Sequence, residues 1–341
     1  TLRVIRPHAE AAMGGIPLGG MMVGPESLDL FGLLPENATL ARHLEAWVRR
    51  LTETHRPAFA LFQHSAKFEV NITCIAFEHL GIPTFWQQML QHPRDRRFMR
   101  PFARHHLVLD RYSADLWRDF INVPPEDVTV VGSLRMAATL ARVRGIPRED
   151  TRAELDLAPS DRLVLVGTQP IAANDNLALI RLVARALRDV PDMRILVKLH
   201  PAEPPERMTL YMRALEEGGV AAISAVTATH DVYRAVLACD LCIAQFSNIA
   251  IEAVFMERLA LSVQAGERVA TFSLGEHGIV EEAPDAAAAE ARLRAIFTDP
   301  AIRAEAEAAR AWVLADNIEQ HDGRVVDRIR AAIRRVIAED G

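Results

Sequence analysis

Cysteine is scarce in this chain: Cys74, Cys239 and Cys242 are the only thiols in 341 residues, too few for the disulfide framework of a small secreted domain. Cys239-Asp240-Leu241-Cys242 spells CxxC. It lies inside an apolar stretch, with no second CxxC and no histidine at ligand spacing, so it reads as two small core residues where a helix runs into a strand. No apolar run approaches the roughly 18 to 20 residues of a membrane span, and no secretory leader opens the chain. These absences read as a soluble, cytoplasmic protein. Positive charge is not in excess either. The net charge is -6, which argues against nucleic acid as a partner. The cluster Arg94-Asp95-Arg96-Arg97 leaves open contact with an anionic ligand or, peripherally, with the inner face of a membrane. The glycine-rich run Gly14 to Gly20 lacks the Gly-Lys-Ser/Thr ending of a phosphate loop and shows no strand or helix periodicity, so it reads as a loop near a cleft or as a surface linker. The first residue is Thr1, which reads as a trimmed start with part of a first domain left out.

What is present is a large apolar content, 50%, in a chain long enough for two domains. Strand-like apolar runs alternate with amphipathic helical segments, the pattern of parallel βαβ units. In the first half the expected strands are Phe59 to Phe62, Thr84 to Gln88, His106 to Leu109 and Thr129 to Val131. The helix Phe68 to Leu80 between the first two should be capped by Gly81. A second series runs through Leu163 to Gly167, Ile195 to Leu199, Ala221 to Val226, Leu241 to Ala244 and Leu259 to Val263. Turn formers at residues 147 to 160 suggest a boundary, giving domains at 1–150 and 151–322. A short helix, Thr151 to Leu157, should open the second. After Pro284 three helices are expected. The last, Gly323 to Ala338, carries Val325, Val326, Ile329, Ile333 and Ile337 as an apolar stripe.

Polar residues gather where the strands of the second series end, the edge at which open α/β sheets bind ligands. Ile195 to Leu199 runs directly into His200-Pro201. The proline cannot extend the ladder, so the imidazole is presented at the sheet edge, with Lys198 on the same face by alternation. Ser247 should cap a helix beginning near Asn248, whose free N–H groups and positive dipole end form an anion site. Glu252 lies about one and a half turns in, suited to accept hydrogen bonds from ribose hydroxyls. Thr168 and Gln169 follow the strand Leu163 to Gly167 in the equivalent place. Asp231 reads as a helix cap, with His230 beside it as a contact for a base.

The order of these pieces resembles the second domain of GT-B glycosyltransferases and their relatives: bacterial surface-polysaccharide transferases, sialyl- and Kdo-type transferases, CDP-glycerol glycerophosphotransferases and UDP-N-acetylglucosamine 2-epimerases. The resemblance is carried by Leu163 to Gln169, Lys198 to Pro201, Asp231-Val-Tyr through Cys239-Asp240, Ser247-Asn248 with Glu252-Ala253, and Asp322-Gly323 with Arg328-Ile329. It extends weakly into the first half through Gly81 to Thr84 and Val130 to Ser133. It implies an α/β, GT-B-like fold, with two Rossmann-like domains whose parallel sheets face each other across a cleft. The second domain would hold a nucleotide-sugar donor, the first an acceptor, and the last helix, 323–341, would cross back to the first.

On that resemblance His200, Pro201 and Ser247 match the nucleotide-contacting motifs of CMP-sugar transferases. Asn248 departs from their Ser-Ser/Thr pattern. The 2-epimerases usually show a Ser-Gly-Gly step with paired glutamates, where this chain has Ser-Asn-Ile-Ala-Ile-Glu-Ala, so a transferase is favoured. The donor expected is CMP- or UDP-linked, the acceptor a glycan, a lipid-linked precursor or a protein. No cofactor and no metal are called for, and no Asp-x-Asp triplet appears. An inverting transfer needs a general base from the first half. Glu69 is the first choice, followed by His64 and His92. The competing readings are a nucleotide-sugar 2-epimerase or hydrolase and a non-catalytic sugar-nucleotide-binding protein.

Overall fold

The computed structural model describes residues 17–18, 21–22, 34–63, 68–89, 91, 102–220, 222–223, 231–266 and 274–340. The chain forms two compact units. One comprises Thr1–Gln87, Met99–His106 and Ile333–Gly341, the other Gln88–Phe98 and Leu107–Ala332.

The first unit begins with β1 (Pro17–Leu18) paired antiparallel with β2 (Met21–Met22). The run Gly14 to Gly20, expected as loop, therefore contains a two-residue strand, and its other positions lie outside the described residues. Helix α1 (Leu34–His55) was not anticipated. Its buried side carries Ala41, Leu44, Leu51 and Thr52, partly buried around a fully buried Val48, the helical spacing that Leu40, Leu44, Trp47, Val48 and Leu51 show in the sequence. Next come β3 (Ala60–Phe62), α2 (Phe68–His79) and β4 (Thr84–Gln87). Val48, Ala76, Phe77 and Ile82 form the small core between α1, α2 and the sheet. The end of α2 is a Schellman arrangement: Ile82 N–H donates to Phe77 C=O and Gly81 N–H to Glu78 C=O, both at 3.0 Å. Gly81 sits at φ +72°, where a side chain is strained, which is why glycine ends this helix. Strands β5 (His105–Val108) and β6 (Val128–Val130) continue a four-stranded parallel sheet in the order β3-β4-β5-β6, the division between the units falling within β5, so that β6 belongs to the second.

The second unit continues with α3 (Arg111–Asp115), a π-helical turn over 116–120, α4 (Leu134–Val143) and α5 (Arg148–Ala153). Helix α5 starts three residues before the expected Thr151, because Pro147 pre-sets the backbone just ahead of the first turn. From α5, Arg148 donates to Ala238 C=O and pairs with Asp240 at 2.7 Å, while Arg152 donates to Ala238 C=O. Asp240 also accepts Leu163 N–H at 2.8 Å. The stretch around residue 150 is thus tied to the edge where the main sheet begins.

That sheet alternates β7 (Arg162–Gly167), α6 (Ala173–Leu187), β8 (Met193–Lys198), α7 (Arg207–Glu217), β9 (Ala222–Ile223), α8 (Val232–Ala238), β10 (Leu241–Ala244), α9 (Asn248–Phe255) and β11 (Leu259–Val263). It then adds β12 (Glu281–Ala283), a strand whose Glu-Glu-Ala sequence gave no apolar signal. Strand order is β12-β11-β10-β7-β8-β9, and every pairing is parallel. Both faces are covered. Val164 and Val166 of β7 join a core with α6, α7 and α10 (Ala286–Thr298), while Leu163 and Leu165 join one with α4, α8 and α9. Two covered faces explain the unbroken apolar runs. Cys239 and Cys242 belong to the second of these cores and are free and buried. Burial pushes the Cys239 thiol up to about 12 and Cys242 well above its ordinary value, so both are inert packing groups, as the sequence suggests.

Helices α11 (Pro300–Asp316) and α12 (Val325–Asp340) end the chain. Val325, Ile329, Ala332, Ile333 and Val336 are buried on α12. Val326, counted in the expected stripe, is instead exposed at 45%. It follows Val325 by one residue, about 100° around the helix, and so lies off the stripe at i, i+4, i+7 and i+8. No described helix is long and apolar enough to cross a membrane.

Candidate functional site

The strand order creates a switch point. From β7 the chain proceeds to β8 and β9 on one side, and β10 and β11 lie on the other. Ligands of open α/β sheets bind in the crevice outside the carboxyl ends of the two strands where the order reverses. Here those strands are β7 and β10, in register as Gly167↔Ala244. Thr168-Gln169 and Gln245-Phe246-Ser247 therefore leave the sheet side by side. Gly167 makes the juncture possible: a β-carbon there would meet Ile249 Cγ2 of α9 at 3.0 Å.

Ser247 caps α9, its hydroxyl accepting Ile249 N–H at 3.4 Å. The remaining N–H groups of the first turn face the crevice end of the helix, where the dipole favours an anion. Asn248 opens the helix and is partly buried. Gln245 is buried, donating to Asp175 C=O at 3.3 Å, and its own carbonyl accepts from Ser262 at 2.7 Å.

His200 follows β8 as the sequence requires. Its N–H donates to Thr168 Oγ1 at 3.2 Å and to Glu203 at 3.0 Å, and its Nδ1 accepts Ala202 N–H at 3.1 Å. With Nδ1 an acceptor, the neutral ring carries its proton on Nε2 and offers a donor there. Pro201 is exposed in the turn, and Lys198 is partly buried, with Nζ donating to Leu199 C=O at 3.3 Å. Burial lowers the Lys198 ammonium below its ordinary range.

The residue that fixes this corner is Glu203, which no motif in the sequence marks. Its buried carboxylate accepts from Tyr211 OH at 2.8 Å, Asn176 Nδ2 at 3.0 Å, Arg207 Nη1 at 3.3 Å and the Thr168 hydroxyl. Asn176 also closes on the backbone of Gln169, donating to its C=O at 2.8 Å and accepting its N–H at 3.2 Å. Thr168 and Asn176 are thus fixed by the protein's own network, and Gln169 is held through its backbone. The only signal in the sequence is an acid three residues after His200-Pro201 begins.

A second cluster lies along the first half of α9. Glu252 is buried and pairs with Arg135 of α4 at 2.8 Å. Burial pushes the Glu252 carboxyl up, and the Arg135 guanidinium pulls part of that rise back. Ser133 caps α4 by accepting Met136 N–H at 3.1 Å. A narrow cleft of about 30 Å³ is lined by Gln91, Ser133, Arg135, Asn248, Glu252 and Gln320, with Met89, Leu109, Met136 and Ile251 completing its wall. It has room for a water-sized group such as a hydroxyl, not for a whole nucleotide. Behind it Asp110 accepts from Gln320 at 2.8 Å, from Ser113 N–H at 2.8 Å and from Gln91, while Ser113 bonds Gln88 and Gln91 at 3.1 Å each. This network joins segments far apart in sequence, and no local pattern announces it.

Asp231 caps α8, accepting Tyr233 N–H at 3.0 Å, and pairs with Arg142 at 2.6 Å. Glu69 is exposed in the first turn of α2, in the other unit. His64, His92 and His230 lie outside the described residues, as does the cluster Arg94 to Arg97. Among the described residues no group of three or more His, Cys, Asp or Glu is placed to hold a metal ion.

No protein-family model and no curated protein sequence matches the chain. Solved structures do. A Listeria monocytogenes protein provisionally assigned as a UDP-N-acetylglucosamine 2-epimerase aligns with a TM-score of 0.65 at 14% identity, over 89% of this chain and 81% of its own. The UDP-GlcNAc 2-epimerase of Neisseria meningitidis, solved with UDP-GlcNAc, gives 0.61 at 12% identity over 88% and 82%. A glycosyltransferase from Rickettsia africae gives 0.58 at 10% identity over 88% and 82%. At these identities the likeness is one of fold. The chain has a GT-B-like fold built on two parallel α/β sheets.

Proposed function

We propose that this chain is a glycosyltransferase that moves a sugar from a CMP- or UDP-linked donor to an acceptor hydroxyl. The observation that carries the reading is the convergence at the β7/β10 switch point of a helix N-terminus capped by Ser247 with the His200 corner of β8. The donor's phosphate would lie against the first turn of α9, with His200 Nε2–H as a further donor. Glu252 would accept from the ribose hydroxyls, and Gln169 and Lys198 would line the sugar-phosphate side.

In the reaction the acceptor oxygen attacks the anomeric carbon. A glycosidic bond forms as the bond from that carbon to the phosphate oxygen breaks, and the nucleotide leaves with the electron pair. Preorganised N–H groups and His200 stabilise the charge that develops on the phosphate. The acceptor's proton goes to a general base, for which Glu69 is the candidate on the N-terminal side. A nucleotide-sugar 2-epimerase or hydrolase would share donor binding and differ in product.

The test has two stages. Thermal shift with CMP, CDP, UDP and GDP identifies the nucleotide, since a ligand at about 100 times its Kd adds roughly 2.7 kcal/mol. Incubation with the matching nucleotide-sugars then separates transfer from hydrolysis and epimerisation by product. Absence of any nucleotide effect would sink the site assignment. Epimerised donor with no transfer would replace the activity.

A further inference from the structure

Glu252 poses a physical problem. A carboxylate on α9 with its side chain only 7% exposed tends to take up a proton, and a protonated acid is a poorer acceptor for two ribose hydroxyls than an ionised one. The structure answers with a single cation. Arg135, in the first turn of α4, reaches Glu252 at 2.8 Å with one face still 44% open to solvent. The groups packed around the pair are otherwise neutral: Gln91, Ser133, Asn248 and Gln320 line the cleft. Two other titratable groups face it. The Cys242 thiol of β10 lies behind α9, where the Glu252 charge contributes to raising it, and Asp110 stands one hydrogen bond away, through Gln320 and Gln91. Neither can supply positive charge.

We infer that Arg135 is a positioning residue whose 2.8 Å pair with Glu252 holds that carboxylate oriented in the cleft, and so makes the site selective for ribonucleotides over 2′-deoxyribonucleotides. The inference rests on the nucleotide reading above. Arg135 reaches Oε1 of the carboxylate at 2.8 Å, and a carboxylate has further lone pairs with which to accept from a hydroxyl-sized group that the cleft can admit. Arg135 itself need not touch the nucleotide. Its removal acts through Glu252: burial is then unopposed, so the carboxyl holds its proton to higher pH than in the parent, and the charge-assisted part of ribose recognition moves to higher pH with it.

Isothermal titration of CMP, CDP and UDP, each beside its 2′-deoxy counterpart, at pH 6, 7 and 9 tests this. The parent should prefer the ribose form of whichever nucleotide it binds by about tenfold, the scale of one charge-assisted hydrogen bond. Arg135→Met should lose more of that preference at pH 6 than at pH 9, so that the preference sets in at a higher pH than in the parent. Arg135→Lys should keep it at pH 7. If the methionine variant does not fold, Arg135→Gln gives the same comparison. Equal weakening of ribo and deoxy forms, or a preference unchanged at every pH, overturns the role and assigns Arg135 to phosphate binding or to packing. A parent that binds none of the six nucleotides overturns the nucleotide reading itself, and this inference with it.

Discussion

Tyr211 donates its hydroxyl to Glu203 at 2.8 Å, and through that carboxylate α7 is locked to the corner that carries His200. Glu203 is satisfied by five donors from Thr168, Asn176, His200, Arg207 and Tyr211, so it is the hub of the β7–β8 edge. Glu203→Ala removes the shared acceptor; Thr168, Asn176, His200 and Arg207 keep other partners, but the buried Tyr211 hydroxyl proton loses its acceptor, and the change should cost about 1–3 kcal/mol. Denaturant unfolding measures the loss. A variant within about 0.5 kcal/mol of the parent would show that the hub is not stabilising.

His200→Ala and Ser247→Ala should each weaken nucleotide binding without unfolding the protein, since His200 is partly exposed and Ser247 satisfies only one N–H group of α9. The cap accounts for about 1 kcal/mol of helix stability at most here, given its long 3.4 Å bond. Titration with the bound nucleotide decides the matter. If both variants bind as the parent does, the β7/β10 crevice is not the nucleotide site.

Gly132 should tolerate no side chain. Its φ is +92°, and a β-carbon would stand 2.1 Å from the Glu319 carbonyl oxygen. That same turn is held by Arg328, which donates to Val131 C=O at 2.8 Å and pairs with Asp322 at 2.7 Å. Gly132→Ala therefore combines backbone strain with a backbone clash and should cost at least about 2 kcal/mol. The change in thermal or urea midpoint reports it, and a neutral outcome would mean the 317–323 turn yields freely.

Stability should fall in alkali. Burial raises the Cys74 and Cys239 thiols from 9.0 to about 12, and burial with Glu203 raises Tyr211 from 10.0 to about 12. These are acids whose folded values exceed their unfolded ones, so between the two the folded state holds more protons. Their contribution is complete below pH 9 and is lost as pH rises toward 12. Urea unfolding at pH 8, 9, 10 and 11 should show a decline beginning near 9. Cys239→Ala should flatten its early part, and an equally steep decline in that variant would remove the thiol from the account.

Glu69→Gln should lower turnover about a hundredfold with donor affinity nearly unchanged, if transfer is inverting and Glu69 takes the proton. Parental turnover would pass the role to His64 or His92. Retention of configuration in the product would remove the need for a base.

Local chemistry made part of this protein legible from sequence. The β7, β8, β10 and β11 runs are apolar because both sheet faces are covered, Gly81 ends α2 because the φ there suits glycine, and Ser247 and Asp231 cap because short polar side chains reach a nearby N–H. Each of these is settled within a few residues. His200 was visible for the same reason, since a proline directly after a strand fixes where the imidazole stands.

The strand order, and with it the β7/β10 crevice, was decided only by tertiary structure, because parallel strands carry no local mark of their neighbours. Glu203, Glu252 and the network of Gln91, Asp110, Ser113 and Gln320 belong to the same class. As letters they are ordinary surface-type residues, and burial by distant segments is what turns them into satisfied hubs. Strand β12 was hidden for a related reason: its Glu-Glu-Ala sequence carries no apolar signal, so pairing with the rest of the chain had to supply what propensity did not.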